Sequence, residues 1–453
     1  MPQILRARAP RRVAAILAAA AALGACHTAA VAPAPRSAVD DTAQINRDIT
    51  YLASDALEGR GTGTAGNDSA AAYIARLYAS LKLTLPPEQT KRIVQCPAGF
   101  SEGFMCAPDY LQRFYARSVG AVHAGLGDSL RTQNVVAIIP GTDPVLRGQY
   151  VVIGAHFDHL GRSSFNAQDP GAGNAIRHGA DDNASGTAAV MELARLFAKR
   201  PLRRTLVLVD FSGEELGVLG SQYFVEHSPV PVDSMLVMLN LDMVGRLRDD
   251  KLIVNGVGTA EELKPLMDSL NTAVGHFTLA LLPDGYGASD HASFYAAGVP
   301  VLFYFTDLHD DYHKATDVAS KINILGEARV IDFAAAAARE LGDRPARLTF
   351  VKQPPPRQMG TGGKGAWFGS VPDMSAVDVV GVRLTGVSPG SPAEKAGAQK
   401  GDVIIEFAGE PIKNLYDYSA ALQKHAPGDT VTVVVMRDGQ RVTLTATLGK
   451  RGG

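Results

Sequence analysis

The chain has 453 residues, a length suited to two or three domains, and its composition is that of an ordinary globular protein. Lys and Arg number 44 against 46 Asp and Glu, leaving a formal net charge of -2. That balance excludes a generally basic surface for nucleic acid and a general affinity for acidic partners.

At the start, Arg6, Arg8, Arg11 and Arg12 precede VAAILAAAAALGA, an apolar stretch too short to span a bilayer, so residues 1–25 read as a signal peptide. LGAC at 23–26 resembles the bacterial lipoprotein cleavage box, which would make Cys26 the lipidated residue; ordinary cleavage beside an unrelated cysteine is the alternative. Residues 26–41, small and Ala/Pro-rich, suit a tether. The expectation is an exported protein, lipid-anchored to the cell envelope at the outer membrane facing the periplasm, that meets the membrane through its anchor only. In such a compartment Cys96 and Cys106 are expected to close a small structural disulfide loop, with free thiols or a metal pair as the alternative.

From 42 to 350 the apolar runs NVVAIIPG, QYVVIGAHFD, TLVLVDFS, MLVMLNLDM, KLIVNGVG and VPVLFYF alternate with helical patterns such as SGTAAVMELARLFAKR. This predicts one large α/β domain, a mixed and mostly parallel sheet sandwiched by helices. Residues 84–133, rich in Pro and Gly, read as an insertion decorating the sheet. The stretch 351–365, proline-rich and then glycine-rich, reads as a linker to a small β-rich domain over 366–450.

The chemistry-bearing residues collect where strands end: His156 and Asp158 after one run, Glu214 and Glu215 after the next, Asp242 after a third. Asp181 and Asp182 sit in a Gly-rich loop before a helix, and His309 and His313 follow VPVLFYF. Strand carboxyl ends in such a sheet converge on one crevice. Imidazoles mixed with carboxylates and no thiolates suit zinc or a similar divalent ion, and the carboxylates outnumber what one ion needs.

HFDHLG, GADDNASG, GEELGVLGS, LNLDMVGR and YHKATD, with LASDALEGRGTGTAGNDSAAAYIARLYASLKL before them, resemble the motif series of the di-zinc aminopeptidase family. That family also contains glutamate carboxypeptidases, glutaminyl cyclases and the transferrin receptor. The resemblance implies two Zn²⁺, one held by His156 and Asp242, the other by Glu215 and His313, with Asp182 bridging. Glu214 is then the general base toward a water between the ions, and Asp158 the carboxylate that fixes the tautomer of His156. The implied function is the hydrolysis of N-terminal residues from peptide substrates. Carboxypeptidase or cyclase action on the same fold, or a non-catalytic scaffold, are the rivals. His309, Asp310 and Asp311 read as surface residues of their loop, and Asp290 and His291 in ASDHASF as supporting residues near the cleft.

Beyond 366, VDVVGVRLTGV, DVIIEFAGEPI and TVTVVVMRDGQRVTLTATL read as strands, the last folding back at Asp438-Gly439. SPGSPAEKAGAQKGDVIIEFAGEPI resembles the PDZ domains of bacterial proteases. The resemblance places a peptide or protein ligand as an added strand, with its carboxylate on the loop Gly365, Ala366, Trp367, Phe368 and Gly369. A domain that only packs against the enzyme is the alternative, and Trp367 could equally be core.

Overall fold

Long apolar runs become the central strands. The computed structural model describes residues 41–87, 110–116, 130–353, 366–372, 379–388, 390–413, 417–418, 421–422 and 424–450. The leader, tether, Cys26, Cys96, Cys106, Gly365 and most of the expected linker lie outside the described residues.

Helices α1 (Thr42–Leu52) and α2 (Ala65–Ser80) open the first domain, each started by a side-chain cap: Asp41 accepts from the Gln44 N–H and Thr64 from the Asn67 N–H. The strands are β1 (Leu111–Ala116), β2 (Leu130–Ile139), β3 (Tyr150–His156), β4 (Thr205–Phe211), β5 (Met235–Leu241), β6 (Lys251–Asn255), β7 (Thr278–Leu282) and β8 (Val301–Phe305). They form one sheet in the order β1-β2-β4-β3-β5-β8-β6-β7. Its centre is parallel, with β4, β3, β5 and β8 side by side, while β1, β2 and β6 join antiparallel. The remaining helices are α3 (Gly186–Lys199), α4 (Leu219–Glu226), α5 (Leu263–Leu270), α6 (His291–Ala296) and α7 (Ile324–Asp343).

Both faces of the sheet are covered, which is why its strands are apolar throughout rather than alternating. Val151 and Ile153 of β3 point into a core shared with α1, α2, α3 and α7, whereas Val152 between them packs with Phe224 of α4 and Phe294 of α6. Among the described residues no helix is long and apolar enough to cross a membrane.

One expectation is corrected here. Within 84–133, residues 111–116 form edge strand β1 and residues 130–133 already belong to β2. The segment is therefore partly sheet. Its strand LQRFYA is short and mixed in polarity because an edge strand is solvated along one side, so it shows no apolar run.

The second domain contains β9 (Ala366–Trp367), β10 (Ser370–Pro372), β11 (Val382–Val387), helix α8 (Pro392–Lys395), β12 (Val403–Phe407), β13 (Glu410–Pro411), β14 (Thr430–Arg437), β15 (Gln440–Thr447) and β16 (Gly449–Lys450). The sheet runs β10-β11-β12-β14-β15, with β13 on β12 and β9 paired to β16. Strands β14 and β15 turn through Asp438-Gly439, both at positive φ, as the sequence expects of a tight hairpin. Phe368 is fully buried in this domain's own core, and its carbonyl accepts from the Ala393 N–H. The Phe368 side chain is thus a core group, because the peptide on either side is committed to strands β9 and β10.

Candidate metal centre

Because β4, β3, β5 and β8 are parallel neighbours, their carboxyl ends finish along one edge of the sheet. His156 is the last residue of β3, Glu214 and Glu215 follow β4, Asp242 directly follows β5, and His313 lies in the loop after β8. Asp182 enters from the irregular turn Ala180–Ser185 ahead of α3, where the Asp182–Asn183 peptide is cis.

That turn is tied down from both sides. Asp317 accepts the N–H groups of Asp181 and Asp182 through one oxygen, at 2.9 and 3.1 Å. The Asn183 amide donates to Leu241 O and accepts from Gly186 and Met243. Gly179, at φ +58°, lets the chain pass where a Cβ would sit 2.1 Å from the Asp182 carbonyl.

All five sequence-predicted ligands meet. His156 Nε2 lies 3.4 Å from Asp182 Oδ1 and 3.4 Å from Asp242 Oδ1. His313 Nε2 lies 3.0 Å from Asp182 Oδ2 and 3.2 Å from Glu215 Oε2. Asp182 therefore faces both histidines, one oxygen to each. The Nδ1–H of His156 donates to the carbonyl of Asp158 at 3.1 Å and that of His313 to the carbonyl of Asn166 at 2.9 Å, which leaves each Nε2 facing the site carboxylates.

Buried Nε2, Oε and Oδ atoms packed together without hydrogen bonds are costly unless a cation joins them. Among the described residues Glu215 Oε1, Asp242 Oδ1 and both ring nitrogens of His159 have no hydrogen-bond partner. Two sets of converging ligand atoms result, His156 with Asp182 and Asp242, and His159 with Asp182 and Glu215. The residues present fit a pair of divalent ions.

Charge within the site follows the same division. Burial opposes charge on His156, but the carboxylates of Asp242 and Glu214 outweigh it and hold the imidazole well above its usual range. Burial likewise opposes charge on Glu215, yet His313 and His159 keep its carboxyl well below the ordinary value. Its neighbour Glu214, half-buried, is pushed well above by burial, with the charge of Glu215 adding to it. The adjacent glutamates thus behave oppositely.

Support comes from residues the sequence did not single out. Arg60 is fully buried and donates to the carbonyls of Phe157, Leu52, His178 and Gly179, clamping together the two loops that carry His156 and Asp182. The Ser289 hydroxyl donates to Asp242 Oδ2 at 2.7 Å and accepts from the Asn240 amide. Tyr312 stacks on His313 with ring centroids 3.8 Å apart. Burial and the carboxylates of Asp182, Glu215, Glu214 and Asp242 hold its phenol protonated.

One expectation, that of a surface His309, is revised. The Asp158 carboxylate stands 3.7 Å from His156 Nδ1 and also accepts from the Glu214 N–H and the Thr62 hydroxyl, while the Asp158 backbone carbonyl takes the imidazole N–H. His309 is buried, not a surface residue, with Nε2 3.1 Å from Asp181 Oδ2, because Asp181 would otherwise be an unpaired buried charge. Asp311 pairs with Arg246 and Lys321. Asp290 and His291 are both buried: burial raises the former to about 7 and lowers the latter to about 4, and His291 stacks on Phe303. His159 lies three residues beyond His156 inside HFDHLG, but its type and place alone do not mark it as a ligand.

Comparison with known proteins agrees with this geometry. Residues 134–338 match peptidase family M28 and residues 356–448 match the PDZ domain. A probable leucine aminopeptidase of Trichophyton verrucosum is 31% identical over 214 residues, covering 44% of this chain and 54% of the relative. Aminopeptidase YwaD of Bacillus subtilis is 35% identical over 127 residues, covering 27% of each. The chain spans about half the length of the probable leucine aminopeptidases it matches. In fold it is similar to a zinc aminopeptidase from Bacillus subtilis (TM-score 0.51, 17% identity, 69% of this chain and 98% of that one). A Zn-dependent exopeptidase from Parabacteroides distasonis is equally similar (TM-score 0.51, 16% identity, 67% and 98%).

Proposed function

We propose that this chain, in which residues 134–338 belong to peptidase family M28 and residues 356–448 to the PDZ domains, is a di-zinc aminopeptidase that hydrolyses N-terminal residues from peptides. The observation that carries it is the meeting of His156, Asp182, Glu215, Asp242 and His313 at one sheet edge, with buried ligand atoms lacking other partners.

His156 and Asp242 would hold one ion, Glu215 and His313 the other, and Asp182 both. Three carboxylates offset three of the four positive charges two Zn²⁺ would bring, which makes burial of the pair tolerable. Such ions supply Lewis acidity toward water and the scissile carbonyl. Glu214, not needed as a ligand, takes a proton from the attacking water and passes it to the leaving amine as the C–N bond breaks. Its backbone is held by Asp158, so its carboxylate is aimed by the loop that also sets His156. Tyr312, stacked on His313 and held protonated, keeps an O–H donor beside the site.

The second domain would recruit a peptide by strand addition beside β10, which ends its sheet among the described residues. Its ligand loop would use the backbone of Ala366, Trp367 and Gly369. An envelope lipoprotein anchored at Cys26 and braced by a Cys96–Cys106 disulfide completes the reading.

Release of the amino-terminal residue from amino-acyl anilides tests the function. Activity lost on chelation and regained with Zn²⁺ supports it; a zinc-loaded protein that cleaves no amino-acyl substrate overturns it.

A further inference from the structure

We infer that His159 is a direct ligand of the second ion, so that the two metal positions are unequal: four protein ligands (His159, Asp182, Glu215, His313) at one, three (His156, Asp182, Asp242) at the other. This rests on the di-zinc reading above and adds to it a residue that reading does not use.

The geometry of His159 repeats that of the other ligands. Its ring is fully buried, and Nδ1 stands 2.7 Å from Glu215 Oε1 and 3.7 Å from Asp182 Oδ2. At 2.7 Å an N–H aimed at the oxygen would be a strong hydrogen bond, yet neither atom makes one, so N–H and acceptor are not aligned. The ring nitrogen of His159, an Asp182 oxygen and a Glu215 oxygen lie within 4.8 Å of one another, as ligands of one ion would. His313 Nε2 lies 3.2 Å from the other oxygen of Glu215 and 3.0 Å from the Asp182 oxygen that His159 faces. The two rings meet edge to face with centroids 5.6 Å apart.

The scaffold holds the ring there. The backbone N–H of His159 donates to Arg60 O, and Arg60 in turn grips Phe157 O two residues earlier. A side chain at Gly179 would strike the His159 ring at 2.5 Å, so the glycine makes the space the imidazole fills. A ring that served only as packing would be more cheaply built from an apolar side chain.

The consequence is a division between the positions. Four protein ligands grip an ion at more points than three, and the position with three leaves more of its coordination open to water and substrate. The position around His159 should bind tightly and exchange slowly. The position around His156 should bind more weakly and carry the exchangeable coordination.

Metal-free full-length protein titrated with Zn²⁺ against a chromophoric chelator tests this. The wild type should bind two ions, one the more tightly. His159→Ala should weaken that tight step by about 100-fold or more, beyond the 10–100-fold typical of losing an indirect partner, and leave the other step unchanged. Asp242→Ala should do the reverse. His159→Gln, which keeps bulk and polarity, should behave as His159→Ala and covers the case in which the smaller residue fails to fold.

On the wild type itself, Co²⁺ loading should give three strongly shifted exchangeable ring N–H resonances, one for each bound imidazole. Two such resonances, or wild-type affinity at both steps in His159→Gln, would overturn the inference while leaving the di-zinc reading intact. A wild type that binds no zinc would instead defeat the reading beneath it.

Discussion

Glu214 and Glu215 are neighbours in sequence and face different surroundings, one near His313 and His159, the other pushed above its usual range by burial. The account therefore predicts that Glu214→Gln keeps its metal and folds normally while kcat falls about 10³-fold. Elemental analysis beside steady-state kinetics checks both halves. Arg60 makes a second prediction at this scale. Removing a guanidinium that serves four backbone carbonyls, three of them buried, should cost about 3 kcal/mol or more, and Arg60→Met should unfold at distinctly lower denaturant than the wild type. The five residues that meet were legible because each stands in a motif, four of them at or after strand ends and Asp182 in the Gly-rich loop ahead of α3. Arg60, Ser289 and His159 were not, since nothing local distinguishes a clamp or an added ligand from a buried polar residue until distant loops are brought together.

Between elements, α2 and β4 meet through a buried polar pair. The Tyr78 hydroxyl donates to Asp210 Oδ2 at 2.6 Å, and burial pushes the Asp210 carboxyl up to about 8 from 3.8, with Tyr78 pulling the other way. The folded protein keeps a proton there that the unfolded chain releases near pH 4. Stability should accordingly fall as pH rises from about 4 to about 8, by up to about 1.4 kcal/mol per pH unit for this one group. Asp210→Asn, which still accepts from Tyr78, should flatten the decline over that window when unfolding is followed by chemical denaturation; an unchanged slope would contradict it. The central strands were readable from their apolar runs, covered as they are on both faces. Edge strand β1 and the short β7 were not, because solvated strands lack that pattern: Thr278 is exposed and only Ala280 of β7 is buried.

At the scale of the molecule, two hydrophobic cores share no residue: the one around Phe368, Phe407 and Val433 lies wholly within the second domain. A chain ending after Gln353 should then keep its activity on small anilides and lose affinity only for substrates that the second domain recruits, as kcat/KM on anilides against long peptides would show. The Pro-rich and then Gly-rich stretch 351–365 is plain in the sequence and lies mostly outside the described residues, whereas the ligand of the second domain was not legible, since strand addition reads main chain more than side chains. The central claim, that scattered strand ends build one two-ion hydrolytic centre, is tested most directly by titrating the metal-free protein with Zn²⁺ while following leucine release from a leucyl anilide. The account predicts no release without metal and a plateau at two ions per chain; full activity in the metal-free protein would contradict it.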